Sequence, residues 1–116
     1  MRDVRKKAEL IQSLEATQRE LALAGFHKDA IHLGKQIASR KNFVAASYLG
    51  IAAEDLGSGS APKAIRALVC EIATVAAIKD AHEIKDMLVT ALIEGADNED
   101  AIVGSLLKTK TLVDNS

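Results

Sequence analysis

The chain of 116 residues is long enough for one hydrophobic core and too short for two domains of ordinary size. Its residues are 48% apolar but only 3% aromatic, with no Trp, so the core has to come from Ala, Leu, Ile and Val, which favours helices. A net charge of −1 excludes a general attraction to polyanions, and the lone Cys70 excludes an internal disulfide, as fits a reducing compartment.

In chain order the apolar periodicity predicts six helices and no strand of useful length. Residues 3–24 carry Val4, Ile11, Leu14 and Leu21 at heptad-like spacing, with Gly25 as a left-handed stop. Residues 28–40 place Ala30, Ile31, Gly34, Ile37 and Ala38 on one stripe, and Asn42 follows as an N-cap. Residues 43–56 are apolar nearly all round, which predicts a buried helix ended by Gly57. Ser58-Gly59-Ser60 reads as a turn, and Pro62 falls in the first turn of the next helix, where its missing N–H costs nothing.

That fourth helix, 62–78, has a large-residue face (Ile65, Leu68, Val69, Ile72, Ala76) and a small one (Ala67, Cys70, Thr74), so packing on both sides is expected. Asp80 and Glu83 have capping-box spacing for a fifth helix at 81–94, with Ile84, Met87, Leu88, Ala91 and Leu92 inward and Gly95 as its stop. Asp97 is the expected cap of a sixth helix at 98–109, with Ala101, Ile102, Leu106 and Leu107 inward. Residues 1–110 are expected to form one domain and 111–116 a flexible tail.

Three segments repeat one pattern. Gly25 precedes Ala30-Ile31, Gly57 precedes Ala64-Ile65, and Gly95 precedes Ala101-Ile102; the Ala-to-Ala intervals are 34 and 37 residues. A glycine that can turn left-handed ends one helix, a small residue lets the returning helix cross closely, and the Ile beside it fills the seam. One hairpin cannot bury its own apolar face, so such units stack.

The pattern is clearest at Tyr48-Leu49-Gly50-Ile51-Ala52-Ala53, Gly57 and Ala64-Ile65, where it resembles the tetratricopeptide repeat family. The first unit has Thr17-Gln18, and the third Met87-Leu88, where that family has Leu-Gly. The resemblance implies an all-α fold, three antiparallel helix hairpins stacked as a short superhelix. It also implies a function, binding a peptide or amphipathic helix of another protein as an adaptor or small chaperone, with small secretion-system chaperones as one specific case. The lining residues it implies are Gln12, Glu15 and Arg19, then Val44, Ser47, Ile51 and Glu54, then His82, Lys85 and Val89.

No catalytic set converges in the sequence, and neither cofactor nor metal is expected. His27 and His32 are five apart and lack a completing carboxylate, and His82 with Asp86 is most simply a surface pair. Cys70 has no His in pattern with it, and Gly57-Ser58-Gly59-Ser60 lacks the frame of a phosphate-binding loop. A helix-turn-helix at 88–107 would be opposed by Glu94, Asp97, Glu99 and Asp100.

Charge is unevenly spread. Residues 1–41 hold nine Lys/Arg against five Asp/Glu, and residues 42–116 hold six against eleven. The asymmetry permits head-to-tail self-association, and the basic run Arg2, Arg5, Lys6, Lys7 is the one candidate for a nucleic-acid contact, the alternative to a protein partner. Residues 1–7 carry no apolar signal core, and the most apolar stretch, 61–78, is interrupted by Lys63, Arg66 and Glu71. A cytoplasmic location without a membrane span is expected.

Overall fold

A computed structural model describes residues 2–50, 63–94 and 98–116. Among them every regular element is a helix: α1 Arg2–Leu23, α2 His27–Leu49, α3 Lys63–Ile78, α4 Glu83–Glu94 and α5 Glu99–Asp114. The expected all-α class holds.

The helix count differs. The expected second helix and the start of the third are one element, α2, with no break at Lys41-Asn42. The physical reason is local. No Gly or Pro interrupts 40–43, and Asn in a helix interior is only mildly unfavourable. Asn42 caps nothing; its side-chain oxygen accepts from the Cys70 thiol at 3.1 Å, so it does not compete for its own backbone. α2 ends at Leu49, with Gly50 left-handed at φ 72°. The expected stops at Gly57 and Gly95, the turn at 58–60 and the cap Asp97 lie outside the described residues.

α3 is the centre of the fold, packing against each of the other four helices. Ile65, Val69, Ile72, Ala73, Ala76 and Ala77 are buried on its large-residue side, and Cys70 and Thr74 are buried on the other. Both faces are therefore used, as the sequence predicts, except at Ala67, expected on the small-residue face and exposed. The remaining helices each bring one stripe: Ala8 and Ile11 from α1, Ile84, Leu88 and Ala91 from α4, and Ile102, Leu106 and Val113 from α5. Buried Thr74 and Thr109 satisfy their hydroxyls on the carbonyls of Cys70 and Ser105, one turn back. Met87 and Leu107, expected inward, are partly exposed.

Two turns share one construction. After α1, Phe26 N–H donates to Leu21 O at 2.9 Å and Gly25 N–H to Ala22 O at 3.2 Å. After α3, Ala81 N–H donates to Ala76 O at 2.9 Å and Asp80 N–H to Ala77 O at 3.4 Å. Both are Schellman stops, with Gly25 at φ 90° and Asp80 at φ 54° in the left-handed position. Asp80 thus ends α3, and its carboxylate pairs with Arg5 at 2.5 Å rather than forming a capping box for α4. At α5 the N-cap is Asn98, which accepts from Ala101 N–H at 3.2 Å.

The expected repeat is not equivalent in all three places. Ala64 and Ala101 are exposed while Ile65 and Ile102 are buried; in the first unit Ala30 is buried and Ile31 lies outside. In the first unit it is Ala30 that meets α1, its carbonyl accepting from Gln18, while Ile31 faces out. The end of the chain also departs from expectation: 111–114 continue α5, with Val113 fully buried.

Candidate functional site

α1 and α2 form a two-helix wall beside α3. Their crossing is close at Gly34, where a Cβ would sit 2.5 Å from Gln18 Nε2. Gln18 uses the room to donate to Ala30 O at 3.1 Å. Where this wall meets α3, Gln12, Glu15 and Arg19 of α1 line a hollow of about 300 Å³ with Lys41 of α2 and Glu71, Thr74, Val75 and Ile78 of α3. A second hollow of about 320 Å³ adjoins it, lined by Ala38, Lys41 and Asn42 on one side and by Lys63, Arg66, Ala67, Cys70 and Glu71 on the other. Lys41 and Glu71 line both, so the two hollows form a trough following α3 from Lys63 to Ile78.

Ion pairs brace its sides. Lys41 lies 3.6 Å from Glu15, tying α2 to α1, and Lys110 lies 3.0 Å from Glu71, tying α5 to α3. The Glu71 carboxylate accepts from Lys110 and so raises the pKa of that ammonium. Cys70, in the trough floor, is pushed up chiefly by burial, against the pull of Lys41 and Arg66 in the other direction.

Of the residues expected to line a groove, Gln12, Glu15 and Arg19 are brought together here. Val44 is not a lining residue: at 1% exposure it belongs to the core, because the all-round apolar stretch of α2 turns it inward. Ser47, His82 and Lys85 are exposed and Val89 is half-buried. Lys85 Nζ lies 4.0 Å from where a Cβ on Gly50 would be, which puts it at the carbonyl end of α2 and away from the trough. Ile51 and Glu54 lie outside the described residues. Lys41, Lys63, Arg66 and Glu71 escaped the sequence reading; the signal for them was the small-residue face of α3, whose charged flanks had to border whatever packs there.

A hollow of about 560 Å³ lies between α4 and α5 and includes Met87, Ala91, Ala101 and Lys108. Among the described residues none of those expected to line a groove reaches it, and Asp86 and Lys108 give it no charge bias. Leu23, Phe26 and Ile31 are 88%, 57% and 62% exposed at the α1–α2 tip. On another face Lys7 Nζ sits 3.9 Å over the Phe43 ring, and both border a cleft with Arg40. Among the described residues no group of His, Cys, Asp and Glu is placed to hold a metal, and no helix is long and apolar enough to cross a membrane. Comparison with known protein families, curated proteins and solved structures finds no match to this chain.

Proposed function

We propose that the chain is a non-catalytic protein-interaction module of tetratricopeptide-like type, an adaptor or small chaperone that holds a segment of another protein in the trough along α3. The observation that carries this reading is the convergence of Gln12, Glu15 and Arg19 with Glu71, Thr74, Val75 and Ile78 of α3 on one hollow. The trough combines an apolar floor (Ala67, Val75, Ile78) with fixed charges on its sides, the pattern by which a groove gains affinity from burial and register from polar contacts. The repeat-like glycine and Ala-Ile pattern supports the same class.

The test is selection of binders from a displayed library of random 16-residue peptides. Selected peptides are rechallenged with Ala67→Trp and Gln12→Trp, two substitutions at exposed positions that fill the trough from opposite ends. Enriched peptides losing at least about ten-fold in affinity on either variant support the reading. Failure to enrich any binder, or binders indifferent to both variants, refutes it.

One observation favours a second reading. Phe43 is 47% exposed and bordered by Lys7 and Arg40, an aromatic-plus-cation face of the kind that stacks a base and holds a phosphate. Retention on single-stranded nucleic acid that falls with salt and with Phe43→Ala would support it.

A further inference from the structure

We infer that the α1–α2 hairpin docks on its counterpart in a second copy of this chain, giving a two-fold dimer built around Leu23, Phe26 and Ile31. The inference concerns a surface beyond the trough and does not rest on the trough reading.

Burial is the first argument. Of residues 13–36 only Ala30 is buried, so this part of the hairpin stands off the core as a two-helix arm. Leu14, Leu21 and Leu33 are partly buried, and Leu23, Phe26 and Ile31 are exposed. Gln18, Arg19 and Ala22 of α1 and His27, Ala30 and Ile31 of α2 line a groove of about 280 Å³. Among the described residues nothing from α3, α4 or α5 borders it. Two helices side by side leave an apolar seam that a further layer has to cover. The link from Gly50 to Lys63 is too short to be that layer at the tip. Gly50 lies about 36 Å from Phe26 along α2, and Ala38, which shares a hollow with Lys63, about 18 Å, whereas thirteen peptide links span at most about 45 Å.

Shape selects the occupant. The arm carries a projection and a recess on one face. Leu23, one turn after Arg19, stands on the rim of the groove, and Ala22 and Ala30 keep its floor low. A face that holds both is complementary to itself. About a two-fold axis, Leu23 of each copy enters the groove of the other.

Charge agrees. Residues 13–36 hold Arg19, Lys28 and Lys35 against Glu15, Glu20 and Asp29. The arm is neutral, so it neither draws a strongly charged partner nor repels its own copy. This contact differs from a head-to-tail one between the basic front and the acidic back of the chain, which charge would hold.

Area sets the strength. The face is about 16 Å long and two helix diameters, about 20 Å, wide. Pairing two such faces buries on the order of 1,000 Å², the small end of specific interfaces, so the dimer is expected to come apart on dilution.

Sedimentation equilibrium of the full chain from about 5 to about 500 µM is expected to show the mass rising from one copy to two and no further, since a two-fold contact closes on itself. Leu23→Glu and Ile31→Glu, both at exposed positions, are each expected to weaken the dimer at least about ten-fold, with the urea midpoint of the dilute monomer unchanged. Ala67→Trp, in the trough, and a change from about 50 to about 500 mM NaCl are each expected to leave the dimer within about a factor of two. A monomer throughout, masses above two copies, or a dimer indifferent to both arm substitutions overturns the inference. A dimer lost on Ala67→Trp overturns it in favour of a contact at the trough, and one weakened ten-fold or more by salt overturns it in favour of a head-to-tail contact. A monomer whose selected library peptides are lost on Leu23→Glu overturns it in favour of a different protein on the arm.

Discussion

Lys79 Nζ donates to the Val113 carbonyl at 3.0 Å and to the Asp114 carbonyl at 2.8 Å. It thereby supplies to the last turn of α5 the cation that α5's own sequence lacks. Helix ends leave carbonyls unpaired and carry partial negative charge, so a lysine from a neighbouring element serves as a cap in space.

Lys79→Met keeps the aliphatic stem and removes the donor. It is expected to cost about 1 kcal/mol in urea unfolding. Amide exchange should quicken at 113–116 and stay unchanged at the start of α5. Unchanged exchange at the chain end would show that Val113 burial alone holds the last turn.

Asp80 carries a left-handed φ of 54° beside an exposed ion pair with Arg5. Left-handed backbone costs a non-glycine residue about 1–2 kcal/mol, and an exposed ion pair returns about 0–1 kcal/mol. Asp80→Gly is therefore expected to leave stability unchanged or raise it slightly, and Asp80→Ala to lower it by about 1 kcal/mol. Denaturation midpoints of the two variants against the parent check the order.

Much of the fold was legible because helix signals are local. The Gly25 stop, the two-sided burial of the 62–78 helix and the inward Ile84, Leu88, Ala91, Ile102 and Leu106 all follow from periodicity and turn chemistry. Where the structure departs, the deciding contact is distant in sequence. Asn42 looks like a cap until Cys70, 28 residues on, takes its side chain. The end of the chain looks like a tail until Lys79 and a pocket for Val113 anchor it. Ile31 looks like a seam residue because the repeat pattern sets it beside Ala30, whereas it is Ala30 that turns toward α1. Of the candidate hollows, Gln12, Glu15 and Arg19 were named through the repeat resemblance, by their offset from Gly25. Lys41, Lys63 and Arg66 were not, because two helices from different parts of the chain bring them to one groove.

The α1–α2 crossing offers a cycle. Gly34 costs the helix about 1 kcal/mol relative to Ala, and the space it leaves admits the hydrogen bond from Gln18 to Ala30 O. Gly34→Ala is expected to be close to neutral, gaining helix propensity while displacing Gln18 and losing about 1 kcal/mol of hydrogen bonding. In a Gln18→Ala background the same change should stabilise by about 1 kcal/mol, since nothing is left to displace. Additive effects from the four unfolding curves would mean that Gln18 and Gly34 are not coupled.

Tyr48 joins α2 to the α3–α4 turn, its hydroxyl donating to Ala81 O from a buried position. Tyr48→Phe removes one of two donors to that carbonyl, which keeps the Ile84 N–H at 3.2 Å, and is expected to cost about 1 kcal/mol at pH 7. The phenol is pushed up to about 12, first by burial and then by the Glu83 and Asp80 carboxylates. The unfolded chain releases this proton near pH 10, and the folded chain holds it about two units longer. The contribution of Tyr48 is therefore fully present below pH 10 and is lost as pH rises through about 12. The gap between parent and Tyr48→Phe should narrow from pH 9 to pH 11.5 in urea unfolding, and a gap that widens would reverse the assigned sign.

Cys70 reports on the trough without being part of any chemistry there. Its thiol is 3% exposed, donates to Asn42 Oδ1, and is held above the ordinary thiol range mainly by burial. Since the thiolate is the reactive form, native protein at pH 7.5 should react with iodoacetamide at least about ten-fold more slowly than the urea-unfolded chain. Lys41 and Arg66 pull the other way, so Lys41→Met should slow the native reaction further by removing one stabiliser of the thiolate. Occupation of the trough by a selected library peptide should slow it too, by covering Cys70, and this protection should vanish in Ala67→Trp. Alkylation of native protein at the unfolded rate would place the thiol outside the trough floor and remove the small-residue face of α3 from the proposed contact.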